Sequence, residues 1–209
     1  YSGTASTTTV LLDAGDDCTA RLPTSAGDAA GWKEIGYNDS TGWLPGTTGV
    51  GYDYTGLIGL DVSSMQGVNS TVYIRVPFTL ADTNNVTGLK LKMKYDDAFV
   101  AYINGTEVLA SAHAPTTPAW HSGANNLNDD ANAVVVGVPH FAVHALPKSR
   151  VPAKLCIAHR RRFRPADLLP ACSEKRKVAA AIHVLNRPAG PADHLGDVEF
   201  LPHSVVDVQ

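Results

Sequence analysis

The sequence has no uninterrupted apolar run approaching the roughly 18 residues that a membrane-spanning helix needs. It contains no His-Glu-x-x-His, Cys-x-x-Cys or Gly-x-Ser-x-Gly motif. No glycine-rich loop precedes a helix where a phosphate could be cradled. These absences remove the local signatures of a zinc protease, a dithiol or zinc-ribbon site, a serine hydrolase and a nucleotide-binding loop, so the expectation is a non-catalytic chain. Cysteines are few and odd in number, Cys18, Cys156 and Cys172, which excludes a complete set of internal disulfides. A Cys156–Cys172 bridge and unpaired thiols both remain open. The sequence begins YSGTASTTTV with no positively charged leader, and this small, polar start is expected of a mature end after leader removal. Glycine is absent from positions 138–177, although the chain holds 18 of them.

What is present reads as strands. The 209 residues are 44% hydrophobic, with 13 prolines alongside the glycines, enough apolar matter for one all-β domain or one domain with a large insertion. The organising stretch is 90–110, KLKMKYDDAFVAYINGTEVLA. Leu89, Leu91 and Met93 alternate with Lys90, Lys92 and Lys94, the period of two expected of a half-buried strand. Asp96-Asp97 supplies a turn, 98–103 resumes as an apolar strand, and Asn104-Gly105 is the strongest short hairpin signal in the chain. Further strands are expected at 8–12, 32–37, 70–80, 134–138 and 178–185, with a closing pair over 198–208. Val72, Ile74, Val76 and Phe78 share one face of the 70–80 strand, and Pro77 predicts that one side of it lacks a nearby ladder partner. The segment 38–54, with four glycines and a proline, is expected to be a long structured loop folded back over the sandwich edge.

The net charge of −3 conceals an asymmetry. Between 137 and 177 stand ten Lys or Arg against only Asp167 and Glu174, including the run HRRRFR at 159–164. The rest of the chain is acidic. This stretch is either a basic Pro/Arg-rich insertion within a single domain of residues 1–209 or an aberrant segment read in a shifted frame. Residues 153–163 are compatible with a helix confined by Pro152 and Pro165. One aromatic, Phe163, is too few for a base-stacking platform, so nucleic acid is an unlikely partner.

Four groups of residues could carry a site. Trp43, Tyr52, Tyr54 and Trp120 are aromatic rings in polar loops, where a ring face can stack on the C–H face of a sugar while Asn and Asp oxygens take its hydroxyls; the alternative is that they cap the core. Asp96 and Asp97 are candidate metal residues, with calcium preferred for hard oxygen donors. Neighbours on a strand point to opposite faces, so the pair is better explained as a turn and does not suit acid–base work. The acidic loops Asp13/Asp16/Asp17 and Asn128/Asp129/Asp130 are further calcium candidates without EF-hand spacing. His113, His121 and His183 could be imagined as a zinc set or a base, although His183 reads as a strand residue. Asn38, Asn69, Asn85 and Asn104 begin Asn-X-Ser/Thr sequons, which matter only in a glycosylating host.

Several of these stretches together carry a resemblance. Trp32, Asn38-Asp39-Ser40, Trp43 and the loop Gly46 to Tyr52 are followed by Tyr73-Ile74-Arg75 with Phe78. Met93 to Asp97 and Phe99-Val100-Ala101-Tyr102-Ile103-Asn104-Gly105 complete the main block. The set resembles the galactose-binding-like β-sandwich modules of large secreted proteins in planctomycete-type bacteria. It covers roughly 24–136 and 178–203; 112–120 with His121-Ser122 is similar to that family's polar loop and 181–186 to its penultimate strand. The resemblance implies a jelly-roll-like antiparallel sandwich and a secreted or cell-surface, non-catalytic module that binds a polysaccharide or glycan through Trp43, Tyr52, Tyr54, Trp120 and His121. No cofactor is required, with structural calcium as an option. The competing expectation is a self-assembling subunit of a surface layer, filament or capsid-like shell that contacts other copies of itself.

Overall fold

The architecture follows from the period-two stretches. A computed structural model describes residues 7–52, 58–80, 86–95, 97–128, 136–137, 151–160 and 179–186. Strand β7 (Val86–Lys94) buries Leu89, Leu91 and Met93 to 1% exposure or less and leaves Lys90 and Lys92 partly in solvent. It lies in a four-stranded antiparallel sheet with β1 (Thr7–Leu12), β12 (Ala179–Asn186) and β10 (Val136–Gly137), in the order β1-β12-β7-β10.

The second sheet has six strands. They are β2 (Asp17–Arg21), β3 (Leu44–Thr47), β6 (Thr71–Leu80), β8 (Ala98–Ile103), β9 (Thr106–Ala110) and β11 (Val151–Arg160), in the order β3-β2-β6-β11-β8-β9 with every pairing antiparallel. A short parallel pair, β4 (Val50–Gly51) and β5 (Leu60–Asp61), stands apart. The main core draws Leu12, Leu89, Leu91 and Met93 from the first sheet and Val72, Ile74, Val76, Phe99, Leu155 and Ile157 from the second. It therefore lies between the sheets, and the fold is an all-β sandwich. Each such fully buried aliphatic or aromatic side chain contributes about 1.5–3 kcal/mol relative to exposure.

Several local expectations hold for physical reasons. Asn104 at φ 49° and Gly105 at φ 87° make the tight turn between β8 and β9, the left-handed pair a two-residue hairpin demands. Pro77 is exposed and lies beyond the β2 register, which reaches only Tyr73–Arg75 of β6; among the described residues β11 alone runs alongside it. The connection from β7 to β8 is not a hairpin, because the two strands lie in different sheets.

Three expectations are corrected. Residues 32–37 form turns, with Glu34 N–H donating to Gly31 O and Tyr37 N–H to Glu34 O, because this segment's carbonyls converge on a buried guanidinium described below. The 38–54 segment contributes two strands, β3 at a sheet edge beside β2 and β4 beside β5. Residues 153–160 are strand, not helix: β11 lies between β6 and β8, with Leu155 and Ile157 in the inner core and Cys156 and Ala158 in the outer cluster. A strand buried on both faces shows a continuous apolar run instead of alternation. The expected closing pair at 198–208 lies outside the described residues.

Candidate functional site

The aromatic candidates fall into two different settings. The first is the outer face of the six-stranded sheet. Tyr73 and Arg75 on β6, Val100 and Tyr102 on β8, and Cys156 and Ala158 on β11 project there and are covered by the turn segment 30–43. Trp32 stacks on Tyr73 with centroids 4.2 Å apart at 7° and meets Tyr102 edge-on at 5.9 Å. Lys33 Nζ sits 4.4 Å above the Tyr102 ring.

Arg75 is fully buried at the centre of this face. Its Nε donates to Asp39 Oδ2 at 2.9 Å, Nη1 donates to Trp32 O and to Glu34 O at 3.1 Å, and Nη2 donates to Glu34 O at 3.1 Å and Tyr37 O at 3.4 Å. The guanidinium lies 5.2 Å from the Tyr37 ring and 5.9 Å from that of Trp43. Asp39 Oδ2 also accepts from Lys154 Nζ at 2.7 Å and Thr19 Oγ1 at 3.2 Å. Burial alone would raise the Asp39 carboxyl; hydrogen bonds from Lys154 and Arg75, with their charges, outweigh it and hold it below its ordinary value. Cys156 is a free buried thiol, 3.6 Å from Arg75 Nη1 and 3.6 Å from Lys33 O. Burial pushes it up to about 12 against the pull of Arg75 and Lys154, so it remains a protonated thiol and not a nucleophile.

This geometry closes the face. Trp43 is 6% exposed, packed edge-on against Tyr37 at 5.9 Å, and its Nε1 has no hydrogen-bond partner among the described residues. A ring so covered offers no face to a sugar, and Trp43 is corrected from candidate platform to packing residue. Tyr52 is likewise buried, in the inner core. Tyr54 lies outside the described residues.

The second setting is the loop 111–128, at the end of the sandwich where β6 and β8 begin. It is irregular but tied down. Ser111 N–H donates to Phe99 O at 2.9 Å, and Ser111 Oγ accepts from Phe99 N–H at 3.0 Å. Thr71 Oγ1 donates to Ser122 O at 2.7 Å, and Ser122 Oγ accepts from Ala119 N–H at 2.8 Å. Asn125 joins the loop's two limbs, its N–H to His113 O at 2.8 Å and Nδ2 to Ala114 O at 3.1 Å. Asn128 closes it, donating N–H to Asp97 Oδ1 at 2.9 Å and Nδ2 to Tyr95 O at 3.0 Å. On this frame Trp120 is partly exposed and His121 exposed, with ring centroids 4.6 Å apart at a tilt of 59°.

The structure thus separates the sequence candidates. Trp120 and His121 adjoin each other, and Trp43 and Tyr52 are buried away from solvent. Asp97 is a buried anchor for the loop, so its carboxylate is committed to Asn128; Asp96 lies outside the described residues. In the acidic 13–17 turn, Asp16 Oδ2 accepts from Asp13 N–H at 2.7 Å and Asp13 Oδ1 from Ala14 N–H at 2.8 Å. Among the described residues no three His, Cys, Asp or Glu side chains cluster as metal ligands. Asp129 and Asp130 lie outside them. His183 is a strand residue, opposite Val10 and Lys90. Arg75 was not singled out from sequence as a centre, although a cation at the middle of an apolar strand, beside Tyr73 and after two loop tryptophans, is its signal.

No family model and no curated protein matches the chain. Similar solved structures include a Ruminococcus gnavus β-glucuronidase in complex with C6-substituted uronic isofagomine, at TM-score 0.48 and 11% identity, covering 88% of this chain and 29% of that one. A β-glucuronidase of an uncultured Clostridium species gives TM-score 0.48 and 13% identity, covering 89% and 30%. The chain therefore spans about 30% of the length of those proteins, and a likeness at this level carries no residue correspondence. Among the described residues, no helix is long and apolar enough to cross a membrane.

Proposed function

We propose that the chain is a non-catalytic, secreted or cell-surface module that binds a glycan through the 111–128 loop, with Trp120 as the stacking ring and His121 beside it. The observation that carries this reading is a partly exposed Trp120–His121 pair held on a loop pinned to β6 and β8 by side-chain and backbone hydrogen bonds. A platform fixed before the ligand arrives avoids part of the ordering cost of association. The resemblance to galactose-binding-like modules points the same way. No cofactor is needed for stacking and hydroxyl recognition, and any role for calcium lies in stabilising a loop.

The test is a soluble polysaccharide panel, run with calcium and with a chelator, while light scattering records the mass. The expected result is binding by a monomer, weakened about tenfold by Trp120→Ala, a loss of roughly 1.4 kcal/mol, with Trp43→Phe unaffected. No binding together with a large defined assembly overturns the reading in favour of a self-associating building block.

A further inference from the structure

Loop 111–128 contains two histidines, three asparagines, two threonines and two serines, but no Lys, Arg, Asp or Glu. The chain as a whole is 18% charged, so eighteen successive residues without a formal charge stand out. Among the described residues, hydrogen bonds that fix the loop come from Thr71, Phe99, Tyr95 and backbone groups, all of them neutral. Asp97 also anchors the loop, fully buried and accepting from Asn128 N–H. An acidic sugar brings a carboxylate, and binding it requires a cation or a convergent set of donors to replace its hydration. The loop itself provides no cation, and the charged group that anchors it, Asp97, is of the wrong sign. A neutral sugar asks only for a ring face and for hydrogen-bonding groups that tolerate hydroxyls. Trp120 supplies the first, and exposed Thr116, Thr117, His121 and Asn126 share the loop that supplies the second.

Resting on the glycan-binding reading, we propose that the ligand class is a neutral polysaccharide, recognised by stacking and uncharged hydrogen bonds, so that its affinity is nearly independent of salt. Interactions between formal charges are screened over about 10 Å at 0.1 M salt, whereas stacking and neutral hydrogen bonds are not. Salt dependence therefore separates the two recognition modes directly.

The experiment titrates the full chain with neutral polysaccharides (β-glucan, galactan, mannan) and with polygalacturonate and alginate, at low and at high salt. The expected result is binding to at least one neutral polymer, changing less than about twofold with salt, with Trp120→Ala weakening it about tenfold and Trp120→Phe retaining most of it. Circular dichroism and thermal melts of both variants establish that they fold. Preference for the uronates, falling steeply with salt, overturns the inference while leaving glycan binding intact. It would move the search to Arg160, whose backbone lies opposite Thr71 and Ala98 at this same end of the sandwich. Absence of binding to every polymer overturns the glycan reading itself and this inference with it.

Discussion

The 30–43 segment and the 111–128 loop make an instructive pair. Both are irregular, both carry tryptophan among small and polar residues, and both lie against the six-stranded sheet. They differ in what the sheet presents to them. Under 30–43 it presents Arg75, whose guanidinium collects the carbonyls of Trp32, Glu34 and Tyr37 and the Asp39 carboxylate. That draws the segment down and buries Trp32 and Trp43 to 3% and 6% exposure. Under 111–128 it presents Thr71 and Phe99, which pin Ser122 and Ser111 and leave Trp120 and His121 at least partly in water. One buried cation decides which aromatic loop is scaffold and which is surface.

The strongest way to break the comparison is to remove that cation. Arg75→Ala is expected to lower unfolding stability by about 3–5 kcal/mol, because three carbonyls and a counter-ion lose their donor in a buried setting. Arg75→Met, which restores apolar volume but no donors, should recover only a minor part. The same variants should expose Cys156, now held beneath the segment, to native-state alkylation read by peptide mass mapping. A loss below about 1 kcal/mol with Cys156 still protected would mean that aromatic packing alone holds the segment down.

A smaller effect comes from Asp39. Its carboxyl is held below its ordinary value in the folded chain by Lys154 and Arg75, against the contrary push of burial. The unfolded chain therefore takes up that proton at higher pH than the folded one. The stabilisation is complete above the ordinary aspartate value and is lost as pH falls through the folded value. Asp39→Asn is expected to cost about 1–2 kcal/mol at neutral pH and to flatten the acid limb of a stability–pH curve. An unchanged acid limb would show that other carboxyls govern it.

Much of this contrast was legible before the fold, and the rest was not, for identifiable reasons. The β7 alternation of Leu89, Leu91 and Met93 with lysines and the Asn104-Gly105 turn follow from local rules. They needed no knowledge of distant partners, and the structure has them as read. β11 was hidden because Leu155 to Ala158 is a short apolar run whose two faces are both covered, by the inner core on one side and by Trp32 and Tyr73 on the other. Such runs do not distinguish strand from helix. The exposures of Trp43 and Trp120 were indistinguishable because they depend on Arg75 and Thr71, which lie 32 and 49 positions from them. That separation also explains why Trp32 to Tyr37 read as a strand: its pattern was right, and a guanidinium took its carbonyls.

The finest test of the comparison uses the tryptophans themselves. Among the described residues, Trp43 Nε1 is buried without a hydrogen-bond partner, a desolvation cost of about 1–3 kcal/mol. Trp43→Phe removes that N–H and part of the ring together. The relief of the orphaned donor and the loss of packing oppose each other, so the net change should stay within about 1 kcal/mol, whereas Trp43→Ala, with no such relief beyond the first, should cost about 3–5 kcal/mol. Trp120→Phe, at a partly exposed ring, should alter stability by no more than about 0.5 kcal/mol, and its phenyl face should retain most of the glycan affinity. Paired denaturant titrations of the two Phe variants and Trp43→Ala read all three values. If Trp43→Phe proves as costly as Trp43→Ala, the indole N–H is bonded in solution, to a bridging water, and Trp43 is held by polar contact as well as by packing. If Trp120→Phe is the more destabilising of the two Phe variants, the loop is scaffold too, and the division between the two regions fails.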